Sequence, residues 1–373
     1  MDIESEKILN SIEEDEGKTL SDYIAKNKDN AHDFISKNIN EIISKLKDGN
    51  VVYFTGLLIN CGLTDIITEN FELIMRAFVD QGGSFPYVLR EIKSKNENSL
   101  KDKVEIIIAI RDKNDLFNIV QILKDIPGIN LDLLNKALED NQEEIIWNMM
   151  KKSIRRRCTP QKWKEIEDDL YSYVPTVKEI INELLTNEEK RWVDIKEMVG
   201  GAYSIPYKIG SKILKIGQRG GKYEIPNHRR LLQPLLRLDL IEKEHISLEV
   251  EEKVKTVKVS DEELYKMYKE VRDAKIILAD FKPDNIGRLI KPNKVYFNGI
   301  ERVFPSAIGF DRELKEEEIL PAGELVFFDL DYIYREGDKD IIWSNPYAKR
   351  LNDFYRFEAE YKRSIDQFEI DDK

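Results

Sequence analysis

Cysteine is almost absent from the chain. Cys61 and Cys158 are the only two, and neither belongs to a C-x-x-C pair. This excludes a disulfide framework and a cysteine zinc site, and it fits a reducing cytoplasm. Histidine is as scarce: His32, His228 and His245 stand apart in the sequence, and none has a companion at metal-ligand spacing. No apolar run approaches the roughly 20 residues of a membrane span. The opening stretch, MDIESEKILNSIEEDEG, is acidic where a secretory signal would be basic and then apolar. The expected location is therefore cytoplasmic with no membrane partner, and export into another cell stays open. Excess positive charge is missing too. A formal net charge of −12 argues against nucleic acid as a partner.

What is present is a dense mixture of charge and apolar residues. With 35% charged and 41% hydrophobic residues the chain reads as globular, not disordered. Its 373 residues imply about two domains, at about 100–200 residues each. Residues 1–155 carry apolar positions at three- and four-residue spacing, as in DFISKNINEIISKL, TDIITENFELIMRAFV and NLDLLNKALEDNQEEIIWNMM. Short connectors with Asp-Gly, Gly-Gly or Pro-Gly separate them. The spacing predicts an α-helical domain, and two arrangements stay open: stacked helical repeats of ankyrin or HEAT type, or an irregular bundle. The basic run KKSIRRR at 151–157 reads as a solvated helix end, with a phosphate contact as its alternative. Residues 156–191 read as connecting helices. From 192 to 373 the texture changes to short β-prone runs punctuated by Gly and Pro, which marks a second, α+β domain.

The most informative stretch is IILADFKPDNIGRL, residues 276–289. Asp280 precedes Asn285 with the spacing of H-R-D-x-x-x-x-N, and Lys282, Pro283 and Ile286 complete a D-x-K-P-x-N-I run. These residues resemble the catalytic loop of protein kinases and their relatives. Phosphoryl transfer needs a carboxylate to hold the attacking hydroxyl, a cation beside the transferring group, and an oxygen ligand for magnesium. The resemblance assigns these roles to Asp280, Lys282 and Asn285 in turn. The His-Arg that usually precedes the aspartate is replaced by Leu278-Ala279.

The same resemblance orders the residues on either side. Strands are expected at 195–199, 204–209 and 212–217, with Gly200 and Gly201 where a glycine-rich loop would cover ATP phosphates. A plain hairpin turn is the competing reading of the two glycines. Ile213-Leu214-Lys215 resembles the end of V-A-I-K: Ile213 would touch adenine and Lys215 would hold the α- and β-phosphates, with Lys212 as a competitor. A helix over 225–238 is expected next, to supply the glutamate that pairs with Lys215. It contains no acid, so Glu224 is the first choice for that partner and Gln233 a neutral second. A strand over 241–250 would lead to a hinge at Glu249, Val250 and Glu251, whose backbone would meet adenine. Ser260, with Glu263 three residues on, opens a helix over 260–275 with a capping box. Finally, ELVFFDLDYIY ends an apolar run at Asp329 with Asp331 two residues on. That resembles the D-F-G position, or the D-x-[DE] variant of small-molecule phosphotransferases, and supplies further magnesium ligands. An extra hairpin is expected in the insert between Asn285 and Asp329.

The resemblance spans about residues 192–333 and implies a two-lobed, minimal or atypical kinase-like domain. ATP and magnesium are the implied cofactors, and a protein hydroxyl is the expected acceptor. Three alternatives remain open: a small-molecule kinase, an AMP-transferring relative, and a nucleotide-binding pseudokinase serving as an interaction scaffold.

Overall fold

The computed structural model describes residues 3–46, 49–110, 115–200, 204–218, 228–232, 234–278, 283–290, 308–309, 321–328, 330 and 333–335. The chain divides into two compact units, one of residues 1–145 with 191–193 and one of residues 146–190 with 194–373. The first unit is helical. Its elements are α1 (Ile3–Ser11), α2 (Lys18–Lys26), α3 (Lys28–Lys45), α4 (Asn50–Cys61), α5 (Thr64–Glu69), α6 (Phe71–Asp80), α7 (Phe85–Asn96), α8 (Val104–Ile110), α9 (Leu116–Leu123) and α10 (Leu131–Glu139). The helix α11 (Gln142–Ile154) follows. Helix α2 packs on α4, α4 on α6, α6 on α8 and α8 on α10, while α3 packs on α5, α5 on α7 and α7 on α9. From α2 to α10, helices two apart in the sequence thus pack on one another, and α3 also packs on α6. Their apolar stripes close on one another, with Ile35, Leu58, Ile74, Leu89, Ile107 and Val120 fully buried.

The second unit begins within α11, at Ile146, and continues through α12 (Pro160–Tyr171) and α13 (Val174–Asn187). Thr159 caps α12, its hydroxyl accepting from the Lys162 N–H, and Pro160 occupies the first turn where a missing N–H costs nothing. A six-stranded antiparallel sheet follows in the order β1-β2-β3-β5-β4-β9. Its strands are β1 (Lys196–Glu197), β2 (Ser204–Ile209), β3 (Lys212–Gln218), β4 (Leu236–Ile241), β5 (Ile246–Glu252) and, later in the chain, β9 (Ile308–Gly309). Alternation sorts its side chains onto two faces. Ile205, Tyr207, Leu214, Ile216, Leu238, Leu248 and Val250 form a buried apolar face, and α12 packs against β4. Two polar ties fix these helices to the sheet's turns: Lys162 pairs with Glu244, and Glu188 accepts from the Ser211 N–H at 3.0 Å. Gly210 (φ +56°) sits in that turn, where a Cβ would come within 2.5 Å of the Glu188 carboxylate.

Beyond the short strand β6 (Val254–Thr256), helix α14 (Asp261–Asp273) leads into β7 (Ile276–Leu278) and β8 (Ile286–Leu289). The expected capping box is in place: the Ser260 hydroxyl accepts from the Glu263 N–H, and the Ser260 N–H donates to the Glu263 carboxylate at 3.1 Å. Strands β10 (Leu325–Phe327) and β11 (Ile333–Arg335) complete two small sheets, β10-β8-β6 and β11-β7. Met267, Tyr268 and Val271 of α14 share a core with Ile276, Leu278, Ile286, Leu325, Phe327 and Ile333.

Two expectations are corrected. In place of a helix over 225–238, the described residues from 228 form a turn at Arg229 and Arg230, a bridge from Leu231 to Phe327, and then β4 from Leu236. Leu-Arg-Leu-Asp-Leu-Ile alternates with period two, and this burial pattern overrides the helical propensity of leucine. The strand over 241–250 is likewise two strands: β4 turns at Glu242–Glu244, and His245 takes a left-handed conformation (φ +55°) before β5. The hairpin expected in the insert falls outside the described residues apart from β9.

Candidate functional site

The larger sheet's second face is charged where its first is apolar. β3 sends Ile213, Lys215 and Gly217 to this face, β5 sends Glu249 and Glu251, and β4 sends Arg237 and Asp239. The Lys215 ammonium pairs with the Glu251 carboxylate at 2.9 Å, with only 15% and 7% of the two side chains exposed. This carboxylate is not the one directly across the strands. Directly opposite Lys215 stands Glu249, whereas Glu251 lies opposite Ile213 and so diagonal to the lysine. Diagonal neighbours stand about 7–8 Å apart, a span a long side chain covers. Glu249 is approached from the other side by Arg237 at 3.8 Å, and Arg237 also holds Asp239 at 2.8 Å. Lys212, the competitor of Lys215, belongs to the opposite face, where its ammonium is tied to Glu252 and lies 3.7 Å from Glu188.

The backbone expected to meet adenine at Glu249, Val250 and Glu251 lies within β5, between β3 and β4. The Leu235 N–H donates to the Val250 carbonyl, so the Val250 peptide groups face β4, and alternation turns those of Glu249 and Glu251 toward β3. Their peptides serve the sheet. The β4 ladder ends at the Leu236 and Val250 pair, and Glu252 carries the next peptide on that side.

Gly200 is exposed in the connection between β1 and β2. The Met198 N–H bonds the Pro206 carbonyl at 2.9 Å and prolongs the hairpin. A Cβ on Gly200 would stand 3.1 Å from the Ser204 carbonyl, so close approach of the two arms is a sufficient reason for glycine here.

The small sheets position the remaining candidates. Leu278 pairs with Ile333, and Ile286 with Phe327. The segment leaving β7 for β8 and the segment leaving β10 for β11 therefore start and finish beside each other. Asn285 closes the first of these segments. Its residue is buried at 6% exposure, and its carbonyl accepts from the Phe328 N–H at 2.9 Å. Asp280, Lys282, Asp329 and Asp331, as well as Gly201, Glu224 and Gln233, lie outside the described residues. Among the described residues, no three His, Cys, Asp or Glu side chains converge as a metal site.

Arg230 is a site-proximal residue that sequence reasoning missed. The Leu232 N–H donates to the Phe327 carbonyl and the Phe327 N–H to the Arg230 carbonyl, each at 2.8 Å. The Arg230 guanidinium reaches Glu270 of α14 and Glu324, both at 2.8 Å, and the Leu325 carbonyl at 3.1 Å. Burial would lower its pKa, yet these carboxylates hold it above the ordinary arginine value. Residues 230–232 are thereby fastened to the strand that runs toward Asp329. The partners are 40 to 95 positions away in sequence, so no local signal announces them.

No protein-family model, curated protein or solved structure matches the chain.

Proposed function

We propose that the chain is an ATP- and magnesium-dependent phosphotransferase with a protein kinase-like second unit, acting on a protein hydroxyl. One observation carries this reading: the antiparallel pairings of β7 with β11 and β8 with β10 set Leu278 beside Ile333 and Ile286 beside Phe327, residues that flank the D-x-K-P-x-N run and the Asp329-Leu330-Asp331 run in the sequence, and the Phe328 N–H donates to the Asn285 carbonyl. A base and a set of metal ligands from distant parts of a chain have to meet in this way. The arrangement of Lys215 supports it further, since period two sets Ile213 and Lys215 side by side on a polar sheet face with the ammonium held in place.

In this reading Asp280 accepts the proton of the acceptor hydroxyl, and Lys282 faces the transferring phosphoryl group. Lys215 binds the α- and β-phosphates. The carboxamide oxygen of Asn285 and the carboxylates of Asp329 and Asp331 would hold magnesium, and a set of hard oxygen donors suits that ion. When bound there, magnesium would supply charge neutralisation to the phosphates. The adenine edge would meet backbone at Glu252 or beyond. A separate unit of packed helices offers surface for recruiting a protein substrate, which favours a protein acceptor over a small molecule.

The test is incubation with γ-labelled and, separately, α-labelled ATP plus magnesium, with a cell extract as the source of acceptors. Transfer of the γ label alone is the expected result. Transfer of the α label would make the chain an AMP transferase, and transfer of neither would leave the scaffold reading.

A further inference from the structure

We propose that Glu251 is the residue that positions Lys215 for the nucleotide, so that the phosphate clamp is built within the sheet and does not depend on a helix swinging in. The inference rests on the proposed nucleotide reading and goes beyond it by naming how the site is kept assembled.

Three observations carry it. The pair is direct, at 2.9 Å, and well shielded from water; a charged pair so placed gives a defined geometry, whereas an exposed one is averaged over rotamers. Its two residues are fixed in adjacent strands, β3 and β5, which pair over seven consecutive positions from Lys212↔Glu252 to Gln218↔Ile246. Their separation therefore cannot change without breaking the centre of the sheet. On the same face Arg237 pairs with Asp239 and stands 3.8 Å from Glu249, while the Lys215 ammonium pairs with Glu251, diagonal to it in the register. Among the described residues between β3 and β4, Arg229 and Arg230 form a turn and Leu231 bridges to Phe327. An ion pair between two paired strands is assembled when the sheet forms. A site of this kind is constitutively ready, and control of turnover has to act on acceptor access.

The experiment uses an acyl-phosphate derivative of ATP with magnesium on the full chain. The lysine amine attacks the acyl carbonyl; the new C–N bond forms as the acyl C–O bond breaks, ATP leaves and the amine proton goes to water. Peptide mass spectrometry then reports which lysine is acylated. The wild-type protein is expected to be labelled at Lys215. In Glu251→Gln the labelling should fall by about 10², the usual consequence of misplacing a reacting group by about an ångström. Asp239→Asn removes an ion pair from the same face without touching Lys215 and should label as the wild type does. Melting curves on each variant separate loss of position from loss of fold. If Glu251→Gln does not fold, Glu251→Asp keeps the charge and withdraws it by one methylene, and it should show the same loss at Lys215. Equal labelling of a folded Glu251 variant and the wild type at Lys215 overturns the positioning role alone. Labelling of Lys212 in place of Lys215 overturns it as well. No nucleotide-dependent labelling of the wild type at any lysine overturns the nucleotide reading itself.

Discussion

At the scale of single residues, the two aspartates of the proposed site separate catalysis from binding. In the proposed role of base Asp280 would touch the acceptor and not the metal, so Asp280→Ala should leave ATP affinity within a few fold and lower turnover by about 10²–10⁴. Asp329→Ala should lose both, because it removes a carboxylate ligand from magnesium. Nucleotide titration and steady-state rates on the two variants decide this. Full turnover in Asp280→Ala would remove the catalytic-loop assignment. A second residue, Glu270, gives a pH signature. Burial acts to raise its carboxyl, but the hydrogen bonds and charges of Arg230 and Arg229 outweigh that and hold it below the ordinary carboxylate value. Its folded pKa is depressed, so its stabilising effect is complete above the unfolded carboxylate pKa of about 4.3 and disappears as pH falls through the folded value. Glu270→Gln should therefore be less stable than the wild type at neutral pH, and the difference should shrink on acidification in urea melts. A constant difference down to the acid limit would show that Glu270 contributes by packing alone. The Lys215 strand was readable in the sequence because Ile213-Leu214-Lys215 alternates locally. Its pairing with Glu251 was not. Glu251 is found only by knowing the register of β3 on β5, and its acidic neighbours Glu249 and Glu252 are chemically equal in a list of residues.

At the scale of elements, α14 is the case in which local chemistry is enough. Ser260 and Glu263 satisfy each other's backbone N–H groups, so the helix start could be read from four residues. Ser260→Ala should destabilise the second unit by about 1 kcal/mol, the usual cost of losing such a cap, measured as a drop in denaturant midpoint at unchanged slope. No change would mean that tertiary packing of Met267, Tyr268 and Val271 fixes this end unaided. The 225–238 stretch is the opposite case. Leucine-rich and interrupted by Pro234, it has a helical composition, and only the partner strands β5 and β9 turn Leu236–Ile241 into an internal strand. Pairing energy with distant residues decided that element, and a single sequence does not contain the pairing.

For the whole molecule, the two units should respond differently to nucleotide. ATP with magnesium stabilises the state that binds it by mass action, about 2.7 kcal/mol at a hundredfold excess over Kd. Hydrogen exchange on the full chain should slow in peptides from β3, β5, β7 and β8 and stay unchanged in those from α2 to α9. EDTA should abolish the effect. Protection confined to the helical unit would place the nucleotide elsewhere. The helices of that unit were legible as periodicity, and their packing order was not, since it depends on which apolar stripes meet. One feature of the sheet has a bearing on solubility. β9 comes from the insert between Asn285 and Asp329 and lies along β4, pairing Gly309 with Leu236 and Ile308 with Arg237. Without it, β4 would present its free N–H and C=O groups along an outer margin, which is a template for another chain. Shortening the insert to the length of an ordinary turn would thus convert a monomer-compatible margin into a sticky one, and the shortened protein would form strand-paired oligomers whose abundance rises with concentration in light scattering.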